Sequence, residues 1–116
     1  MAIITPTIEQ IGERTMRCTW ANLALGDTGK PLDWPAFMDR SVQVKGTFGA
    51  AGAVTIEGSN DGATFVPLSD PRGNNLAINT AKIEQVEDCA YLMRPNVTAG
   101  DGTTSLTIVL FARKVA

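Results

Sequence analysis

Residues 40–62 constrain the fold of this chain more than any other stretch. From Ser41 to Phe48 the side chains alternate strictly, with Val42, Val44 and Phe48 on one side and Ser41, Gln43, Lys45 and Thr47 on the other. Successive Cβ atoms of a strand point to opposite faces of a sheet, so a period of two marks a strand with one buried face. After Gly49-Ala50-Ala51-Gly52 the pattern resumes in Val54-Thr55-Ile56-Glu57, with Val54 and Ile56 inward. Two alternating runs joined by a short Gly-flanked loop predict a β-hairpin. Ser59-Asn60-Asp61-Gly62 marks the next reversal, with residues that tolerate or require positive φ.

The same period recurs along the chain. Residues 15–20 alternate, with Met16, Cys18 and Trp20 on one face, and read as the first core strand. Residues 21–25 are ambiguous and run into the turn signal Gly26-Asp27-Thr28-Gly29-Lys30-Pro31. The segment 32–38 holds Leu32, Trp34, Phe37 and Met38 around Pro35, which suits an irregular stretch packed over the core edge. Short strands are expected at 64–68, where Pro67 favours an edge, and at 76–78. Residues 81–87 read as a strand, because Ile83 and Val86 alone define no helical stripe. Residues 89–97 read as a strand with Tyr91, Met93 and Val97 on one face. The last strand, 103–113, turns Leu106, Ile108 and Leu110 one way and Val109 and Phe111 the other, so both of its faces are expected to be covered.

Regular short strands with Gly, Asn and Asp between them, and no convincing long helix, predict an all-β, antiparallel two-sheet β-sandwich. Spacing does not choose between a jelly-roll-like and an immunoglobulin-like strand order. Residues 1–12 read as an extended N-terminal arm and 13–116 as a single sandwich domain. Pro6 interrupts the arm, and its four isoleucines, Ile3, Ile4, Ile8 and Ile11, call for docking on the same domain or on a neighbouring subunit. With 44% hydrophobic and 19% charged residues the chain is globular and can bury one core.

Composition also narrows the function classes. A net charge of −2 lacks the basic excess that phosphate neutralisation needs, so nucleic acid is not an expected partner. No apolar run approaches the roughly 20 residues of a membrane helix, and the opening residues do not resemble a secretory signal. Synthesis and folding in a cytoplasm are therefore expected. Cys18 and Cys89 have no CxxC spacing and read as two buried, reduced thiols.

The chain has no histidine, which removes the commonest general base and zinc ligand. The Gly26–Lys30 turn is no phosphate loop, because Ala24 stands where that motif needs Gly and Pro31 where it needs Ser or Thr. Asp61 in its Ser-Asn-Asp-Gly turn lacks EF-hand spacing, and Glu84, Glu87 and Asp88 read as a solvated acidic face. Asn96-Val97-Thr98 matches the glycosylation sequon, without a secretory signal to give it use. Trp20, Trp34, Phe37 and Tyr91 are the aromatic candidates for a carbohydrate or peptide groove. No catalytic constellation, cofactor site or metal site emerges, and no enzyme is expected.

Three segments, taken in order, resemble a family of small tailed-bacteriophage virion proteins of the capsid decoration or cement type. They are Asp39-Arg40-Ser41-Val42-Gln43-Val44-Lys45-Gly46-Thr47-Phe48-Gly49, then Val54-Thr55-Ile56-Glu57-Gly58-Ser59-Asn60-Asp61-Gly62, and finally Arg94-Pro95-Asn96-Val97-Thr98 through Gly100-Asp101-Gly102-Thr103-Thr104-Ser105-Leu106. Trp20 and Gly26-Asp27-Thr28-Gly29 fit the same pattern. The resemblance implies a β-sandwich subunit on the outer capsid surface of a virion, bound to the major capsid protein and homo-oligomeric, with a trimer favoured. It implies a structural role and no catalysis. The shared residues are turn and strand formers and transfer no contact residue. Ile3, Ile4, Ile8, Ile11, Val109 and Phe111 are the candidates for subunit or shell contact, from their apolar character in an arm and on a sheet face. A tail-associated virion subunit and a carbohydrate-binding sandwich module are the alternative readings.

Overall fold

The computed structural model describes residues 1–114. Its first strands are β1 (Ile3–Ile4), β2 (Thr7–Gly12), β3 (Thr15–Leu23), β4 (Thr28–Gly29) and β5 (Asp39–Thr47). They are followed by β6 (Ala53–Ser59), β7 (Val66–Pro67), β8 (Ala77–Ile78), β9 (Lys82–Val86), β10 (Leu92–Ala99) and β11 (Ser105–Arg113). One sheet has the order β1-β4-β10-β6-β7, with β8 also on β6, and the other has the order β2-β3-β11-β5-β9. The chain is thus all-β in its described residues, a two-sheet sandwich. All the pairings are antiparallel except β1 with β4, which is parallel.

The expected hairpin at residues 40–62 does not form. β5 pairs with β11 and β9 in one sheet, whereas β6 pairs with β10, β7 and β8 in the other. The link between them is an arch that carries the chain across the core. Val42 and Val44 therefore face Val54 and Ile56 across the sandwich rather than lying beside them. All four are buried, which is the outcome the alternation demands of either arrangement. The backbone of the arch is what differs from a tight hairpin. Ala51 holds a left-handed conformation at φ 57°, and Gly46, at φ 119°, ends the inward row of β5. A Cβ on Gly46 would collide with the carbonyl oxygen of Ser105 on the neighbouring strand, so only glycine lets β5 stay paired as it bends.

β3 runs three residues past the expected Trp20, with a register shift near Asn22, whose φ is 59°. Trp20 and Cys18 lie fully buried opposite Ile108 and Leu110 of β11. The Trp20 indole N–H donates to Lys30 O at 3.0 Å, which satisfies the one polar atom the ring buries. Gly29 passes so close over this ring that an added Cβ would stand 2.5 Å from both Trp20 and Pro95.

Pro95 lies inside β10, where a missing N–H would ordinarily break a ladder. The neighbouring bonds explain its tolerance. Met93 N donates to Leu32 O at 3.1 Å and Val97 N to Asp27 O at 3.0 Å, and between these two points Gly29 packs on the Pro95 ring. Tyr91, expected on the inner face with Met93 and Val97, precedes β10 and is exposed.

Candidate contact surface

Residues 1–12 belong to both sheets. β1 lies beside β4, with Ile3 opposite Thr28 and Ile4 opposite Gly29. Asp27 anchors this corner, its carboxylate accepting from Ala2 N at 2.8 Å and Ala24 N at 2.9 Å. The chain then crosses at Thr5 and Pro6 to the other sheet, where β2 pairs with β3 and Ile8 stands opposite Cys18. Ile4 packs against the core, while Ile3, Ile8 and Ile11 are exposed.

Val109 and Phe111 stand on the outer face of the sheet built from β2, β3, β11, β5 and β9. The ladder arranges this face in rows. Val109 lies between Thr19 and Gln43, and Gln43 in turn lies beside Ile83; Phe111 lies between Arg17 and Ser41. The arm does not cover them, since β2 extends the same sheet at its edge. Val109 is half-buried by its neighbours and Phe111 is 41% exposed, so the expectation that both faces of the last strand are covered is corrected. Arg17 pairs with Glu9 at 3.1 Å, and Arg113 pairs with Asp39. The six candidate contact residues are thereby spread over an edge of one sheet, an edge of the other, and one open face.

Ile83 was not among those candidates. It is 62% exposed, on the same face as Val109, while Val86 of the same strand is buried. A signal for it was present: two apolar residues three apart in a strand must face opposite ways, so one of Ile83 and Val86 had to point outward.

The remaining chemical candidates are used by the fold. Asp61 Oδ1 accepts from Ala63 N, Thr64 N and Ser59 Oγ, each at 2.8–2.9 Å, and these bonds hold its carboxyl down at about 2. Asp88 accepts from Ser69 N at 2.7 Å. A surface hollow of about 580 Å³ is bordered by Ser59, Asp61, Thr64, Asp88 and Cys89. Among the described residues no three His, Cys, Asp or Glu side chains gather as a metal-binding group. Glu57 takes bonds from Arg94 at 3.1 Å and Asn96 at 3.2 Å, so the sequon asparagine belongs to an outer-face network that also stacks Arg94 on Phe65. Both cysteines are free; Cys18 is buried, and burial pushes its thiol up to about 12. Cys89 is exposed, contrary to the expectation of two buried thiols. Trp20 has no exposed face to offer a ligand, and Trp34 and Phe37 pack on each other with ring centroids 5.4 Å apart.

The chain is similar in fold to YomS, an SPBc2 prophage-derived protein. The likeness has a TM-score of 0.64 and covers 90% of this chain and 98% of that one, at 9% sequence identity. At that identity the likeness is one of fold. No family model matches the sequence, and no curated protein does.

Proposed function

We propose that this chain is a non-enzymatic structural protein of a tailed-bacteriophage virion, which decorates or cements the outside of the capsid shell by binding the major capsid protein. The observation that carries the reading is the end-to-end likeness in fold to a prophage-derived protein, 98% of which is covered by this chain. It joins the sequence resemblance, whose three segments form the β5–β6 arch, the turn after β6, and the β10–β11 region packed against them. A decoration subunit needs an extended, repeated surface rather than a pocket, because symmetry multiplies weak contacts on a lattice. The open outer face with Val109, Phe111 and Ile83, framed by ion pairs, supplies such a surface.

The test is to add purified protein to capsids that lack it. Saturable binding to mature shells, with slower rupture on heating or osmotic shock, is expected. Capsids that take up none at saturating concentration overturn the reading, and antibody label confined to tails in micrographs moves the protein to a tail-associated role.

A further inference from the structure

β9 is the outermost strand of its sheet, beyond β5. An open strand edge offers unpaired backbone N–H and C=O groups as a template for another strand. Which residues of β9 offer them follows from the ladder. Lys114 N donates to Arg14 O at 2.8 Å, so the even-numbered residues of β11 bond to β3 and the odd-numbered ones to β5. Carrying that alternation across β5 by the observed register turns the backbone groups of Ile83 and Gln85 outward. Glu87, of the same parity, donates its N–H away from β5, to Ser69 O at 2.9 Å.

The side chains along this edge are self-complementary. Ile83 is flanked by Lys82 and Glu84, whose charged ends are 3.8 Å apart and partly exposed. We propose that β9 pairs antiparallel with β9 of a second copy of this chain, about a two-fold axis through Ile83. In that register Ile83 stands opposite Ile83 of the second copy as a hydrogen-bonded pair. Lys82 stands opposite Glu84 of the second copy, twice by symmetry, and Gln85 opposite Ala81. The exposed isoleucines bury each other, opposite charges meet across the strands, and the two sheets become one continuous sheet. Centring the axis on Glu84 instead would set like carboxylates face to face and use a residue whose backbone groups already bond to β5. The other edge of the sheet has no such register: Glu9 in β2 has no lysine or arginine on its own strand and is already paired with Arg17 of β3.

The isolated protein tests this without capsids, so a failure here leaves shell binding to its own experiment. Sedimentation equilibrium is expected to give a mass of two chains. In a Cys89→Ser background, Ile83→Cys is expected to cross-link on mild oxidation. Directly opposed residues of a hydrogen-bonded pair have Cα atoms about 5.5 Å apart, within disulfide range. Gln85→Cys in the same background is expected to stay monomeric on denaturing gels, because its two copies are offset by four residues along the strands, roughly 13 Å. Lys82→Glu should weaken the dimer about tenfold, by turning two attractions into two repulsions, and Lys82→Glu with Glu84→Lys should restore it. Circular dichroism of each variant establishes that it is folded. A mass of one chain or of three, a cross-link at position 85 in place of 83, or no rescue by the charge swap each overturns the proposal. The three-chain mass would instead match the trimer that the sequence resemblance implies.

Discussion

Asp101 ties two distant turns together. Its Oδ2 accepts from Ala50 N at 2.9 Å in the arch, and its Oδ1 from Thr103 N at 2.8 Å and Thr103 Oγ at 2.6 Å. Thr104 Oγ closes the clamp by donating to Phe48 O at 2.8 Å. Led by the Thr103 hydroxyl and then Ala50 N–H, these donors favour the charged form and hold the carboxyl down at about 2, against an ordinary 3.8. The folded value lies below the unfolded one, so the stabilisation is complete above the ordinary value and is lost as pH falls from there toward 2. Asp61 titrates in the same window and the same direction. Thermal unfolding followed between pH 7 and pH 2 should therefore show the melting temperature falling below about pH 4. Asp101→Ala should melt lower than the parent at pH 7 and lose less on acidification. Parallel curves for the two proteins would remove Asp101 from this role. The turn signal around Asp101 was legible in the sequence, but its partner was not, because Ala50 lies far away in the chain and meets it only through the arch.

At the scale of elements, the strap formed by residues 32–38 depends on a residue of the strand that follows it. Arg40 is 3% exposed and has no carboxylate partner among the described residues. Its Nε donates to Phe37 O at 2.6 Å and its Nη2 to Trp34 O at 2.7 Å, while Nη1 lies 3.6 Å from Met93 Sδ. Burial pushes its pKa down from the usual arginine value. A planar fork of donors reaches two carbonyls at once, and a lysine ammonium on a flexible stem does not reproduce it. Arg40→Met should cost about 3 kcal/mol, from two hydrogen bonds made by a charged group, and Arg40→Lys should fall between it and the parent. Native-state chymotrypsin should cut faster after Phe37 in Arg40→Met; the Trp34–Pro35 bond resists the enzyme in either protein. Unchanged melting and unchanged cleavage would show that the strap holds without the pin. Part of this was readable in advance: Arg40 has the same parity as Val42 and Val44, so alternation alone places it on the inward face of β5.

Across the whole molecule, the first twelve residues cross from one sheet to the other and so contribute to both. Removing residues 2–11 deletes the β1–β4 and β2–β3 pairings, the packing of Ile4 and the Ala2 bond to Asp27. The truncated chain is expected to fold with about 3 kcal/mol less stability, from one partly buried isoleucine and the net worth of a few hydrogen bonds. With Ile8 gone from its place opposite Cys18, thiol labelling of the native state should reach Cys18 as well as the exposed Cys89. Labelling confined to Cys89, with unchanged denaturant midpoint, would make the segment an appendage.

What the sequence determined by itself is where strands run and which side chains they bury. Alternation is a local consequence of backbone geometry, and it correctly marked Cys18, Trp20, Val42, Val44, Val54, Ile56, Leu106, Ile108 and Leu110 as core. Which strand pairs with which is set only once the chain has folded. A strand with one buried face satisfies its side chains equally well beside its neighbour in a hairpin or across from it in a sandwich, so residues 40–62 carried no local record of the choice. Pairing is settled by hydrogen bonds to β11 and β10, strands formed by the last part of the chain. The contact surface followed the same division: Phe111 and Val109 were visible as a second apolar face, but their openness, and the presence of Ile83 on that face across Gln43, came from the sheet order that set β9 at its edge.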